Sequence, residues 1–210
     1  MGSGLFRLCR GCGYERGVDT ILPLLVGYFL GSVPFGLILT RLTGGGDLRA
    51  IGSGNIGATN VLRTGKKGVA AATLLLDMGK GLAAVLIVRH VWPGGEALAA
   101  LAAVLGHCFP LWLKFKGGKG VATMMGISLG LAWPIGLAYA VVWLGVLFSS
   151  RISSLGGMSA AIAAPVAAAL TGHAAYAPVL ALLALLVLFL HRENIARLRA
   201  GTEPKVGSKK

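Results

Sequence analysis

The sequence predicts an all-α, polytopic integral membrane protein with about seven transmembrane helices. Three observations carry this prediction. Hydrophobic residues make up 55% of the 210-residue chain, and its mean hydropathy of +0.77 lies well above that of ordinary soluble domains. Apolar stretches of about 20 residues recur, each long enough to cross a hydrocarbon core of about 30 Å. A β-barrel would show short alternating segments instead. The third observation is a one-sided distribution of basic residues over the loops between those stretches.

In chain order the segments fall at 20–42, 69–91, 96–113, 120–132, 134–150, 153–172 and 176–191. The fourth is short for a full span. Trp133 and Pro134 argue for a break between 132 and 134 that separates it from the fifth, because proline disfavours helix in the residue before it. Without that break the two merge and the count drops to six. With seven helices, the loops after the first, third and fifth share one side with the C-terminal tail. Those regions hold Arg41, Arg49, Arg63, Lys66, Lys67, Lys114, Lys116, Lys119, Arg151, Arg192, Arg197, Arg199, Lys205, Lys209 and Lys210. The opposite loops hold Arg89 alone. Residues 1–18 add Arg7, Arg10 and Arg16 on that opposite side, and Leu5 to Leu8 is too short an apolar core for a signal peptide. This stretch is expected to be a poorly ordered tail, with one membrane domain over 19–205 and a basic tail over 206–210.

Twenty Lys and Arg against seven Asp and Glu give a net charge of +13. In a soluble protein that balance would suggest nucleic acid. Here the apolar bulk excludes a nucleic-acid partner and points to membrane lipid and anionic substrates. Cys9 and Cys12 form C-x-x-C, but no second pair follows to complete a zinc site.

The first constellation is Ala50 to Lys67, AIGSGNIGATNVLRTGKK. Gly52, Gly54 and Gly57 make G-x-G-x-x-G, with neither the preceding strand nor the βαβ unit that a dinucleotide fold requires. Their physics still favours an anion site: without Cβ atoms the backbone can turn its N–H groups onto a phosphate and approach it closely. Ser53, Asn55, Thr59 and Asn60 add neutral polar groups, and Arg63 adds a guanidinium able to grip phosphate bidentately. A plain interhelical linker needs none of these.

The second constellation is GHCFPLWLKFKGGKGVAT, 106–123, where Lys114, Lys116 and Lys119 surround Gly117, Gly118 and Gly120. The one-sided charge rule accounts for the lysines but not for the glycines. His107 lies within an apolar segment, where polar groups are functional candidates, although a bond to a neighbouring helix would also account for it. The third is HRENIARLRAGTEPK, 191–205, where His191, Arg192, Glu193 and Asn194 follow an uninterrupted apolar helix. Asp77 and Lys80 stand at i, i+3 in the second segment, a spacing that lets them pair in a structural or orienting role. The usual catalytic signatures are missing. No histidine is followed by an aspartate in H-x-x-x-x-D, no G-x-S-x-G elbow occurs, and no His/Cys/carboxylate cluster reads as a metal site.

Five stretches together resemble the bacterial acyl-phosphate:glycerol-3-phosphate acyltransferase family, the PlsY type. They are GSVPFG (31–36), DLRAIGSGNIGATNVLR (47–63), LLLDMGKG (74–81) and the motifs at 106–123 and 191–205. The resemblance implies a seven-helix enzyme of the bacterial inner membrane with its active site and C-terminus in the cytoplasm. It implies transfer of an acyl group from acyl phosphate to the 1-hydroxyl of glycerol 3-phosphate, giving lysophosphatidic acid and phosphate without metal or cofactor. The chain is expected to work as a monomer. By this resemblance Gly52, Ser53, Gly54, Asn55, Gly57, Thr59, Asn60 and Arg63 hold the donor phosphate, with Arg49 assisting. Lys119 and Ser154, or the adjacent Ser153, contact glycerol 3-phosphate. His191 and Asn194 add polar contacts, and His107, Lys116, Gly117 and Gly118 belong to the substrate-binding surround. The alternative from another class is a phosphate or organophosphate transporter. Such transporters show paired inverted repeats and mid-membrane binding groups, whereas here no internal repeat is visible and nearly all charge sits at one interface.

Overall fold

The structure, a computed structural model, describes residues 13–52 and 54–207. Among these residues every regular element is helical. Helix α1 (Gly13–Gly31) starts inside the stretch expected to be an unordered tail, so residues 13–18 belong to a helix. Residues 1–12, with Cys9 and Cys12, lie outside the described residues, as do Ser53, Lys209 and Lys210.

The first predicted segment is two helices. Helix α1 stops at Gly31 and α2 (Phe35–Leu42) begins after Pro34, which has no N–H to continue the ladder. Backbone carbonyls freed inside a membrane need donors from the protein itself. Lys80 Nζ donates to the Val33 carbonyl at 2.7 Å and Trp112 Nε1 to that of Ser32 at 3.0 Å. Helix α3 (Ala58–Leu62) is a single short turn within the glycine-rich loop. Then come α4 (Lys67–Val91), α5 (Glu96–Cys108), α6 (Val121–Leu131), α7 (Trp133–Ser150), α8 (Ser153–Leu170), α9 (Ala177–Leu190) and α10 (Arg192–Arg199).

Each predicted segment is helical, but the count of seven spans does not follow from their lengths. Five segments are long and apolar enough to cross: Thr20–Leu42, Lys67–Val91, Glu96–Leu113, Trp133–Ser150 and Ser153–Leu170. A sixth forms if Ala174–Leu190 and Arg192–Arg199, bent by 60°, count together. Helix α6 has 11 residues, which at 1.5 Å per residue reach only about 16 Å. The predicted break between 132 and 134 is present, at Ala132, which is extended with φ −162° and ψ 135°; α7 starts at Trp133, with Pro134 in its first turn.

Small residues set the packing. Gly27 and Gly31 of α1 lie directly on the Ala99 and Ala103 carbonyls of α5, leaving no room for a Cβ at either glycine. Such small-residue contacts let helix backbones close up where no water drives association. The main core gathers Ala84 and Val85 of α4, Ala103 and Val104 of α5, Met124 and Ile127 of α6, Tyr139 of α7, Ala160 and Ala164 of α8, and Leu183 and Val187 of α9. Helix α7 buries Ile135, Gly136 and Tyr139 and turns Leu137, Val141 and Phe148 outward, as a lipid-facing helix does. A second, smaller core of Leu37, Leu48, Ile56, Val61 and Ala70 lies under the glycine-rich loop. That core makes the loop a folded element.

Candidate active site

The glycine-rich loop is organised by one amide. Asn60 is 2% exposed, and its Nδ2 donates to the carbonyls of Leu48 (3.0 Å), Ile51 (2.9 Å) and Asn55 (2.8 Å). Asn55 Oδ1 accepts the Gly57 N–H at 2.9 Å, closing a side-chain turn before α3. Gly52 and Gly54 have φ of +56° and +69°, in the left-handed region that favours glycine. Gly57 has φ −80° and needs no such freedom. A Cβ at Gly52 would lie 2.6 Å from Asn60 Oδ1 and 3.0 Å from Arg63 Cδ, so the loop backbone runs against the arginine stem. Arg63 itself caps α3.

A second polar cluster is centred on Glu203. Its Oε1 accepts Ser154 Oγ–H and Asn194 Nδ2–H, both at 2.6 Å, and its Oε2 accepts Arg197 Nε–H at 2.6 Å. Burial pushes the Glu203 carboxyl up, and the bonds from Ser154, Asn194 and Arg197 outweigh it, so the group ionises below the ordinary glutamate range. Lys119 Nζ donates to Asn194 Oδ1. Burial lowers the pKa of that ammonium, with repulsion from Arg197 adding to the effect. His191 is 4% exposed at the bend between α9 and α10, with Nδ1 2.7 Å from the Val187 carbonyl. Donation there leaves Nε2 as an acceptor.

The loop and the cluster meet across one cavity of about 1050 Å³. Thr59 Oγ1 and Ser153 Oγ, 3.0 Å apart, tie the loop to the start of α8. The cavity wall includes Gly52, Asn55, Gly57, Thr59, Asn60 and Arg63 from the loop, and Lys119, Ser153, Ser154, His191 and Asn194 from the other side. Leu74, Val121, Ala122 and Trp143 add an apolar flank. Among the described residues no three His, Cys, Asp or Glu side chains gather as metal ligands.

Comparison with known proteins decides what class of molecule carries this cavity. The sequence model of the family described as glycerol-3-phosphate acyltransferase matches residues 21–201. The chain belongs to the glycerol-3-phosphate acyltransferase family. It is 87% identical over 196 residues to the glycerol-3-phosphate acyltransferase of Novosphingobium aromaticivorans, covering 93% of this chain and all of that one. It is 56% identical over 195 residues to that of Erythrobacter litoralis, covering 93% and 99%. It also matches the crystal structure of PlsY (YgiH), an integral membrane glycerol 3-phosphate acyltransferase, in its glycerol 3-phosphate form. That match has a TM-score of 0.85 at 35% identity over 90% of this chain and 96% of that one. The lysophosphatidic acid form of the same enzyme matches with a TM-score of 0.83 at 34% identity and the same coverage. The resemblance drawn from the motifs holds, and this multi-pass membrane protein is an acyltransferase of that family rather than a transporter.

Not every residue singled out from these acyltransferase motifs reaches the cavity. Arg49 turns away to Asp47, with Nη2 2.6 Å from Oδ2, and holds that carboxyl well below the usual carboxylate range. Gly54, Lys116, Gly117 and Gly118 are absent from the lining. Gly117 and Gly118 instead donate to the carbonyls of Cys108 and His107, each at 3.0 Å. Ser153 and Ser154 both line the cavity, one bonded to the loop and the other to Glu203. Glu203, Arg197 and Trp143 are lining residues that the motif reading passed over. Glu203 had a signal: it is the one acid between Asn194 and the C-terminus, amid basic residues. The tail divided off at 206 also contributes, since Val206 N–H donates to the Arg151 carbonyl at 2.7 Å and Val206 and Gly207 line the cavity.

Proposed function

We propose that this protein transfers a fatty acyl group from acyl phosphate to the 1-hydroxyl of sn-glycerol 3-phosphate, releasing lysophosphatidic acid and phosphate. The observation that carries the reading is the single cavity bounded by two separate polar groups, each with a cation, and flanked by apolar residues. The loop from Gly52 to Arg63 is the donor-phosphate cradle, and Ser53 belongs to it by sequence. Lys119, Ser154, Asn194 and His191 form the acceptor side, with Glu203 and Arg197 fixing Asn194. His107, Lys116, Gly117 and Gly118 support the acceptor side, and Arg49 stiffens the approach to the loop through Asp47.

The reaction needs no strong protein base. The hydroxyl oxygen attacks the acyl carbonyl carbon, the carbon–oxygen bond to phosphate breaks, and phosphate leaves with the electron pair. A substrate phosphate oxygen takes the hydroxyl proton. Holding both substrates in reach supplies proximity. Arg63, Lys119 and loop N–H groups other than those of Gly54 and Gly57, which already donate to Ile51 and Asn55, stabilise charge on the phosphate and on the tetrahedral oxyanion. The working unit is a monomer in the bacterial inner membrane, with seven membrane segments and the cavity on the cytoplasmic side. The basic loops support that orientation.

The test is purified, detergent-solubilised protein given glycerol 3-phosphate with acyl phosphate, acyl-CoA or acyl carrier protein as separate donors. Lysophosphatidic acid is expected from acyl phosphate alone. Equal turnover with acyl-CoA would rule out the donor assignment.

A further inference from the structure

Behind the cavity, His107 joins a buried charged cluster whose other members, Asp77 and Lys80, have no part in the transfer chemistry. Asp77 of α4 and His107 of α5 both reach the cavity wall. Lys80, one turn along α4, lies 2.6 Å from Asp77 Oδ1, and their side chains are 4% and 2% exposed. The same Lys80 ammonium donates to the Val33 carbonyl at the break between α1 and α2. His107 Nδ1 lies 3.7 Å from Asp77 Oδ1. The opposite edge of the imidazole faces Gly118. Its Nε2, Cε1 and Cδ2 are the three atoms nearest to where a Gly118 Cβ would stand, with Cε1 2.7 Å and Cδ2 2.9 Å away. The Gly118 N–H is bonded to the carbonyl of the same histidine at 3.0 Å. The next residue is Lys119.

We propose that His107, packed beside the Asp77–Lys80 ion pair, is a positioning residue for Lys119. Its imidazole is the surface on which Gly118 is seated, and that seating aims the Lys119 ammonium at Asn194 and the acceptor. A buried ion pair adds little net stability after its desolvation cost, but it fixes geometry. The ring stands between the Asp77 carboxylate, 3.7 Å from Nδ1, and the space that a Gly118 Cβ would take. Supporting residues of this kind hold a substrate-binding group within the narrow tolerance that catalysis needs. The inference rests on the assignment of Lys119 to glycerol 3-phosphate.

Three variants of the full chain test it: Gly118→Ala, His107→Asn and the double variant. Asparagine keeps a polar group near Asp77 and removes the ring edge that abuts Gly118. Gly118→Ala alone should raise the glycerol 3-phosphate KM about tenfold or more and leave the acyl-phosphate KM within about twofold. His107→Asn should raise the glycerol 3-phosphate KM about threefold with kcat little changed. In the double variant the added Cβ has room, so that KM should fall back at least about threefold from the Gly118→Ala value. If Gly118→Ala does not accumulate in membranes, recovered accumulation in the double variant carries the same meaning. A double variant no better than Gly118→Ala, by either readout, would overturn the proposal, and so would a Gly118→Ala protein with unchanged KM. The acceptor assignment fails separately, if Lys119→Ala raises the acyl-phosphate KM instead of that for glycerol 3-phosphate.

Discussion

Gly52, Gly54 and Gly57 share one motif but not one conformation. Gly52 combines φ +56° with a Cβ position only 2.6 Å from Asn60 Oδ1, whereas Gly54 has φ +69° and a nearest neighbour at 3.3 Å. Gly57 has φ −80° and would bring a Cβ to 3.2 Å from Asn55 Oδ1. The left-handed conformation costs a non-glycine residue about 1–2 kcal/mol. Alanine should therefore damage acyl-phosphate use most at Gly52, less at Gly54 and least at Gly57, read as kcat/KM for the donor. Arg63→Ala should lower activity about ten- to a hundredfold, the loss of a charge-assisted contact of about 1.5–3 kcal/mol, while insertion and purification stay normal. Lys119 gives a pH signature. Its pKa is lowered by burial and by Arg197, so its charge is present at low pH and lost as pH rises through a value below that of an ordinary lysine. The glycerol 3-phosphate KM should rise on the alkaline side before a free lysine would titrate. A flat KM through that range would show that Lys119 charge is not used. The motif made glycine legible as a need for close approach, but φ at each position depends on how Asn60 gathers the loop, and a single sequence does not carry that.

At the scale of elements, the loop stands on Asn60 and the C-terminal segment on Glu203. Asn60→Asp should be worse than Asn60→Ala, because it sets a carboxylate against the carbonyls of Leu48, Ile51 and Asn55. Alanine leaves those groups unsatisfied at about 1–3 kcal/mol, and the aspartate adds repulsion. Thermal unfolding in detergent should rank the two that way. An equally stable Asn60→Asp would mean that the loop is held by its apolar core. Helix positions were largely legible because an apolar run of membrane length has few alternatives. The split of the first segment is not legible in the sequence, although Pro34 stands within it. A proline inside an apolar run can kink a helix or end it, and the choice depends on whether partners meet the freed carbonyls. Lys80 and Trp112 do so here from 47 and 80 residues away. Glu203 was missed for a related reason, since its three partners lie on α8 and α10 and come together only when the tail folds back.

For the whole molecule, the basic loops predict that Arg63, Lys119 and the C-terminus share the cytoplasmic side. In intact cells an impermeant thiol reagent should leave a C-terminal cysteine unlabelled, and labelling there would reverse the orientation. On the other end of the bundle Arg89 Nη2 donates to the Leu131 carbonyl at 2.8 Å, and Arg89 Nε lies 3.8 Å from Glu96 Oε1. Arg89, in the last turn of α4, thus joins α4 to α5 and α6. The central claim is that one cavity carries two distinct anion sites, a donor cradle from Gly52 to Arg63 and an acceptor site at Lys119. The direct measurement is a pair of saturation curves, one for acyl phosphate and one for glycerol 3-phosphate, on Gly52→Ala and Lys119→Ala. The account predicts opposite biases, with Gly52→Ala raising mainly the acyl-phosphate KM and Lys119→Ala mainly that for glycerol 3-phosphate. Equal rises in both constants for both variants would contradict it.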